Sequence, residues 1–379
     1  MNNIIENLRS CHTYKEVQAQ PQIWRKWATE IDGISSDIGN WIIARNPQEI
    51  WFCGAGTSAF IGDTLSAYLS KDKGRIYRTV STTDFVASPH NFPQTDRKIL
   101  VVSFGRSGAS SETIAMLDIL DQHYGDADRL NITCDASSPL ATRVVIGTGQ
   151  QQTIVLPAET LDKGFAMTSS YTTMLLSALA CLDQQPPGKI SDIFTQLADQ
   201  SSKILANLPN QLADKLSKSP KRCIFLGSGS LKGTARESAL KILELTAGQT
   251  VTQWDSSLGF RHGPKAIIDA DTQIYVLVSN DEYTQKYDLD IAKEIKQQYE
   301  QATVITVGMT SSDVDIRLGG SDFSSDIAKN DAWSSVLYIL IAQTLCMHWS
   351  AALGLNVDNP FAGQGNLTRV VTGVTIYPF

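Results

Sequence analysis

Short apolar runs alternate with helix-length segments along most of the chain. Two of these runs end in a glycine turn: EIWFCGAGTSAFIGD carries Gly54 and Gly56, and RCIFLGSGSLKG carries Gly227 and Gly229, 173 residues later. Each turn leads into a segment compatible with a helix. Other apolar runs that predict strands lie at 99–104, 129–133, 153–156, 273–279 and 303–308. The alternation predicts a duplicated α/β fold, in which each half is a doubly wound parallel sheet flanked by helices.

The pattern also predicts how the chain is divided. Residues 1–45 place apolar side chains at helical spacing and predict an N-terminal helical extension; these side chains are Ile4, Ile5, Leu8, Trp24, Trp27, Ile31 and Ile34. The composition changes at Pro186-Pro187-Gly188, which predicts a first domain at 46–190, a linker at 191–201 and a second domain with a C-terminal tail at 202–379. Residues 331–354 are mostly apolar but include Ser, Gln and His, and therefore predict a buried helix rather than a membrane span.

Composition and charge exclude several classes of protein. The chain has 379 residues, a formal net charge of −7 and no block of Lys and Arg, which argues against a broad nucleic-acid surface. The segment MNNIIENLRS lacks the features of a signal peptide, and no stretch reaches 18 apolar residues, so we expect a cytoplasmic protein away from the membrane. The six cysteines form no CxxC pair and the five histidines no HxxxH pattern, so we expect buried thiols and neither a metal site nor a cofactor.

Two turns rich in glycine and serine could together bind an anion. Gly56-Thr57-Ser58 opens a predicted helix, whose free backbone N–H groups favour a phosphate. The second turn, at 103–112, carries Arg106, Ser107 and Ser110 at another helix start. Because both turns follow adjacent candidate strands, they would converge at the switch point of a doubly wound sheet. The alternative is that Ser58 and Ser110 are ordinary helix N-caps.

The second half carries candidate acid and base groups. Glu237, Lys241 and Glu244 follow an i, i+4, i+7 spacing and so share one face of a predicted helix. The alternative for this face is a solvent-exposed row of salt bridges. His262 lies in the loop GFRHGPK, where a backbone turn could project its ring; the alternative is an ordinary surface histidine. Spacing alone does not bring Glu244 and His262 together.

Four motifs in this order, GAGTSAFIGD, SFGRSGASSET, ARESALKILELTAG and FRHGPK, resemble the SIS (sugar isomerase) domain family over residues from about 50 to 375. The resemblance includes the isomerase half of glucosamine-6-phosphate synthase. Three further stretches, at 157–170, 255–265 and 366–378, resemble the AgaS group of galactosamine-6-phosphate deaminase/isomerases, once described as tagatose-6-phosphate ketose/aldose isomerases. The resemblance implies two tandem SIS domains and an enzyme that acts on a sugar phosphate.

The resemblance also implies roles for individual residues. Ser58, Ser107 and Ser110 fall on positions that hold the sugar phosphate, with Thr57 and Arg106 beside them. In the second half, the resemblance makes Glu244 the proton-transferring carboxylate and His262 the ring-opening histidine. In the family this histidine reaches the active site of a neighbouring subunit, so a homodimer is implied.

Two positions depart from the synthase pattern. Gly105 stands where the synthase motif has another phosphate-binding serine, a loss for which Arg106 could compensate. Arg369 stands where the synthase has a lysine in its C-terminal tail, and arginine stays protonated, so it cannot serve as a base or form a Schiff base. We therefore expect Arg369 to orient the open-chain substrate, together with Lys241, or to support the loop.

The activity that this resemblance favours is deamination of an amino-sugar phosphate, with galactosamine 6-phosphate giving tagatose 6-phosphate and ammonia. Plain ketose/aldose isomerisation is the alternative, and no residue distinguishes the galacto from the gluco epimer. A sugar-phosphate sensor is a further alternative, although residues 1–45 show no basic DNA-recognition helix. A glutamine-dependent synthase would need an amidotransferase domain before the first SIS unit and is not expected.

Overall fold

Two five-stranded parallel sheets form the framework of the chain in a computed structural model that describes residues 8–212, 216–308, 310, 314–323, 327–365 and 367–379. The strands of the first sheet are β1 Glu49–Gly54, β2 Ile76–Ser81, β3 Ile99–Gly105, β4 Asp128–Thr133 and β5 Gln151–Val155. Those of the second are β6 Arg222–Gly227, β7 Val251–Asp255, β8 Thr272–Leu277, β9 Thr303–Gly308 and β10 Ile316–Gly319. The predicted class, an α/β fold with doubly wound parallel sheets, is confirmed.

The strand order is the same in both sheets. The first sheet runs β2-β1-β3-β4-β5 and the second β10-β9-β8-β6-β7. In each half the first strand therefore lies between the second and the third, and the chain changes direction across the sheet beside it. This is the switch point at which sheets of this order leave a crevice at the carboxyl ends of the strands.

Helices connect and cover the strands. In chain order they are α1 His12–Arg45, α2 Thr57–Leu69, α3 Thr82–Ala87, α4 Ser111–His123, α5 Pro139–Thr142, α6 Ser169–Leu182, α7 Ile190–Gln211, α8 Leu231–Leu245, α9 Glu282–Gln298 and α10 Asp331–Ala352. The central strands β1, β3 and β8 are buried at every position, as expected of parallel strands with helices on both faces.

The strands that the apolar runs predicted are all present, whereas β2, β7 and β10 were missed. These three strands lie at or next to the sheet edges, and each carries partly exposed positions. A strand with one side toward solvent needs fewer apolar residues, so no continuous apolar run marks it.

The predicted linker at 191–201 is wrong, because these residues lie inside α7. Its side chains Ile193, Leu197, Ile204 and Leu208 are buried at helical spacing, so the segment belongs to the core. The proline pair at 186–187 does fall in a loop, between α6 and α7. The outer limits proposed for the two domains stay predictions.

The N-terminal helix is an integral part of the fold. α1 begins at His12 and buries Trp24, Trp27 and Ile31 in the main hydrophobic core, which confirms the helical extension from there on; Ile4 and Ile5 lie outside the described residues. The carboxylate of Asp358 accepts the backbone N–H groups of His12 and Thr13, each at 2.8 Å. A residue near the opposite end of the chain thus caps this helix.

The predicted buried helix is α10. Among the described residues it is the one helix long and apolar enough to cross a membrane by length and composition, but 83% of its most apolar window is buried within the fold. Its N-cap Asn330 accepts N–H groups from Ala332 and Trp333. The helix therefore forms the centre of the protein core.

Candidate active site

A cavity of about 610 Å³ opens where β1 and β3 end. These strands are direct neighbours, so the turns that follow them converge as predicted. The cavity wall includes nearly all the residues that the sequence singled out: Thr57, Ser58, Arg106, Ser107, Ser110, Lys241, Glu244 and Arg369. His262 is exposed and is not among the lining residues.

The turn after β1 presents the start of α2 to this cavity. Gly56 has a φ of +56° and occupies the N-cap position, a backbone conformation that glycine adopts without strain. The N-cap alternative is therefore wrong for Ser58, which lies in the first turn of α2. The Ser58 hydroxyl has a long contact, 3.9 Å, with the sulfur of Met167, and the N–H groups of Ser58 and Ala59 donate to the carbonyl groups of Ala55 and Gly56.

The turn after β3 presents the start of α4. Ser110 is the N-cap of this helix and accepts the N–H of Thr113 at 3.3 Å, so the capping alternative holds for this residue, which also lines the cavity. Ser107 Oγ accepts the N–H of Ala109 at 3.4 Å. Two helix starts with neighbouring hydroxyl groups thus face one space, an arrangement suited to an anion.

Arg106 is buried and joins three parts of the cavity wall. Its Nη1 donates to the carbonyl groups of Gly164, Phe165 and Ala166 at 3.1 to 3.4 Å, and its Nη2 to the carbonyl of Arg369 at 2.8 Å. Burial lowers the pKa of this guanidinium. The side chain thus anchors the loop and the tail to the β3 turn, and its direct contact with a phosphate stays a prediction.

The predicted face of α8 lies inside the protein. Lys241 Nζ is 2.5 Å from Glu244 Oε2 and 3.4 Å from Glu237 Oε1, and it donates to Thr57 Oγ1 at 3.0 Å. Glu237 and Lys241 are buried, whereas the Glu244 side chain is 22% exposed and lines the cavity. The alternative of a solvent-exposed row of salt bridges is wrong, because α8 packs against α2 and α10.

Burial and mutual charge shift the pKa values of this cluster. Burial raises the pKa of Glu237 to about 8, helped by the charge of Glu244 and opposed by Lys241. Burial lowers the pKa of Lys241, but Glu237 and Glu244 outweigh it and leave that pKa above its usual value. The lysine therefore stays charged beside Glu244, while Glu237 can hold a proton near neutral pH.

The C-terminal tail closes one side of the cavity. Arg369 Nη1 donates to the carbonyl of Asp162, and the N–H of Ser111 donates to the carbonyl of Val371 at 3.2 Å. Phe165, Met167 and Phe361 complete an apolar wall. Sequence reasoning missed these three residues; the resemblance at 157–170 was the only signal near two of them.

The switch point of the second sheet is arranged differently. Asp288, from α9, is buried there; its Oδ1 accepts the hydroxyl groups of Ser228 and Ser257, and its Oδ2 the N–H of Ser279 at 3.0 Å. Burial raises the pKa of this carboxyl. Since a carboxylate already fills the turn after β6, an anionic ligand is disfavoured in this half.

Within the described residues, no group of three His, Cys, Asp or Glu side chains is placed to hold a metal ion.

Comparison with known proteins agrees with this geometry. Residues 43–182 match the SIS domain. The D-galactosamine-6-phosphate deaminase AgaS of Escherichia coli is 37% identical over 373 residues, which cover 97% of this chain and 96% of the relative. The chain belongs to the SIS-domain family.

Solved structures extend the comparison. The tagatose-6-phosphate ketose/aldose isomerase of E. coli is 35% identical to this SIS protein, with a TM-score of 0.85 over 97% of both chains. The glucosamine-6-phosphate deaminase of Thermotoga maritima has a TM-score of 0.72 over 96% of this chain and 100% of its own, at 22% identity, and so shares the fold.

Proposed function

We propose that this SIS protein is an enzyme that converts galactosamine 6-phosphate to tagatose 6-phosphate and ammonia. The observation that carries the proposal is the pairing of Glu244 with Lys241 in a cavity that also contains two helix starts with serine hydroxyl groups. The similarity to the E. coli deaminase over nearly the whole of both chains supports the choice of substrate.

In this proposal the phosphate binds between the starts of α2 and α4. Backbone N–H groups and the hydroxyl groups of Ser58, Ser107 and Ser110 would donate to its oxygens. The carbon chain would then extend toward α8, with Lys241 and Arg369 orienting the oxygens of the open-chain sugar. This direction brings C1 and C2 to Glu244.

The chemistry requires one group to move a proton between neighbouring carbons. Glu244 would remove the proton from C2 of the open-chain aldehyde, giving an enolamine, and return it to C1. The product is a C2 imine, which one water molecule hydrolyses to the ketone of tagatose 6-phosphate, releasing ammonia. Lys241, held at 2.5 Å from Glu244, would orient this carboxylate and stabilise the negative charge that develops on the C1 oxygen.

Among the described residues that line the cavity of one chain there is no histidine to assist ring opening. His262 is exposed, outside the cavity wall and beside the exposed Leu258. The proposal therefore includes a homodimer in which His262 completes the site of the partner subunit. A cytoplasmic location belongs to the same proposal, supported by the burial of the apolar helix α10.

Ammonia release is the test of this function. Purified protein is incubated with galactosamine 6-phosphate and, in parallel, with glucosamine 6-phosphate, and both ammonia and ketose phosphate are measured. Ammonia from the galacto epimer alone is the expected result. Exchange between tagatose 6-phosphate and its aldose without ammonia would instead support the isomerase, the activity named for the similar E. coli structure. No reaction with either amino-sugar phosphate or with tagatose 6-phosphate would contradict both activities and favour a sugar-phosphate sensor.

A further inference from the structure

The N-terminal helix contacts the loop that forms the back of the cavity. Glu16, on α1, accepts the N–H of Lys163 at 2.5 Å and that of Gly164 at 3.3 Å from each carboxylate oxygen. The approach is close: a Cβ on Gly164 would lie 2.3 Å from Thr13 Oγ1. The Glu16 carboxylate therefore holds the loop against the helix, and the lack of a side chain on Gly164 allows this close approach.

The opposite face of the same loop forms the cavity wall. The carbonyl groups of Gly164, Phe165 and Ala166 accept from Arg106, which also holds the carbonyl of Arg369 in the tail. The Phe165 ring lines the cavity and packs on that of Phe361, with ring centres 5.0 Å apart. A shift of this loop would therefore move Arg106, and with it the β3 turn that carries Ser107.

We infer that Glu16 is a positioning residue for substrate binding: it fixes the loop 163–166, and through Arg106 it fixes the turn and the tail around the sugar phosphate. The inference deepens the proposed function and rests on it. It also gives the N-terminal helix a part in the active site. Glu16 touches no reacting atom, so its loss should act on KM more than on kcat.

The charge state of Glu16 offers a second line of evidence. Burial raises its pKa to about 7, aided by the nearby carboxylates of Asp162 and Asp358 and opposed by the N–H groups of Lys163 and Gly164. The cations close to the loop are Lys163, which belongs to it, and Arg106 and Arg369, which donate to the carbonyl groups of Gly164 and Asp162. At pH 8 the ionised carboxylate holds the loop firmly, and at pH 6 the protonated group holds it less well, since charge-assisted hydrogen bonds are the stronger kind.

The test compares Glu16→Gln with wild type, and with Glu30→Gln as a matched control at an exposed position of the same helix. At pH 8 we expect Glu16→Gln to raise KM for galactosamine 6-phosphate about tenfold, with kcat changed by less than about twofold. As the pH falls from 8 to 6, the ratio of the KM of Glu16→Gln to that of wild type should fall toward one, because Glu16 in wild type loses its charge. A merely structural role would not produce that convergence.

Amide hydrogen exchange of the peptide covering 163–166, measured without substrate, separates this inference from the proposed function. Faster exchange in Glu16→Gln than in wild type and Glu30→Gln at pH 8 is expected. Equal exchange, or an equal KM at pH 8, would overturn the role of Glu16. If wild type turns over neither amino sugar, the proposed function fails, while the exchange comparison still decides whether Glu16 fixes the loop.

Discussion

Lys241 Nζ lies 2.5 Å from Glu244 Oε2, three residues further along the same helix. This pair joins a buried cation to a carboxylate that reaches the cavity, and Glu237 lies behind it. The proposed catalytic carboxylate thus shares a cluster with buried charged groups, and each member can be tested by a different measurement.

Glu244→Gln should lower kcat by about 10²- to 10⁴-fold, because the amide cannot carry the proton from C2 to C1. Binding of galactosamine 6-phosphate, measured by calorimetry, should stay within a few-fold of wild type, since the phosphate contacts lie elsewhere. Glu282→Gln, at an exposed position of α9, is the control. Turnover by Glu244→Gln at the wild-type rate would remove Glu244 from the mechanism.

Lys241→Met should destabilise the fold by about 3 to 5 kcal/mol, because it leaves buried carboxylates without their cation. Urea unfolding measures this change, with the exposed Lys293→Met as a control that should have little effect. In urea unfolding well above pH 8, where Glu237 would otherwise be ionised, adding Glu237→Gln to Lys241→Met should restore part of the loss, because one buried charge is then removed. Purely additive effects of the two substitutions would show that these side chains do not interact.

The stability of the protein should depend on pH through Glu237. Its folded-state pKa of about 8 lies above the ordinary value of 4.5, so the folded state binds the proton more tightly than the unfolded state. The contribution is fully present below about pH 4.5 and is lost as the pH rises toward 8. Relative to Glu237→Gln, wild type should lose on the order of 2 kcal/mol or more between pH 5 and pH 8.5 in urea unfolding. A difference that does not change with pH would mean that Glu237 stays ionised throughout.

The proposed homodimer, in which His262 completes the partner's site, predicts complementation between two inactive variants. His262→Ala and Glu244→Gln should each be inactive alone on ring-closed substrate. Mixed after subunit exchange, half of the dimers combine both variants, and each of these has one intact site, giving about a quarter of wild-type activity. No recovery, with exchange verified by mass spectrometry, would place His262 and Glu244 in the same chain's site or leave His262 without a role.

The sequence was informative where the structure depends on local pattern. β1, β3 and β8 are covered on both faces, so their continuous apolar runs predicted them correctly. The turns after β1 and β3 carried recognisable serines, and parallel pairing made their convergence predictable. The site elements that depend on one short segment could therefore be found in advance.

The remaining features depend on contacts between distant segments. Thr13 and Asp358 are 345 positions apart, and no local pattern indicates that one caps the helix of the other. The i, i+4, i+7 spacing of α8 placed its charged residues on one face, but only the packing of α2 and α10 shows that this face is buried. Likewise, the sequence shows that Arg106 is charged but does not show that it donates to carbonyl groups of the loop and the tail.

The contact between α2 and α8 has one more consequence. Each helix follows the first strand of its own sheet, and they meet where Gly233 lies so close to Thr64 that a Cβ would come within 2.5 Å of its hydroxyl oxygen. In the proposed function, the start of α2 binds the phosphate and the side of α8 faces the reacting carbons. Turnover is therefore a sensitive reporter of how the two halves are docked. A substitution that only loosens the contact between α2 and α8 should abolish turnover, while circular dichroism still shows the secondary structure of both halves.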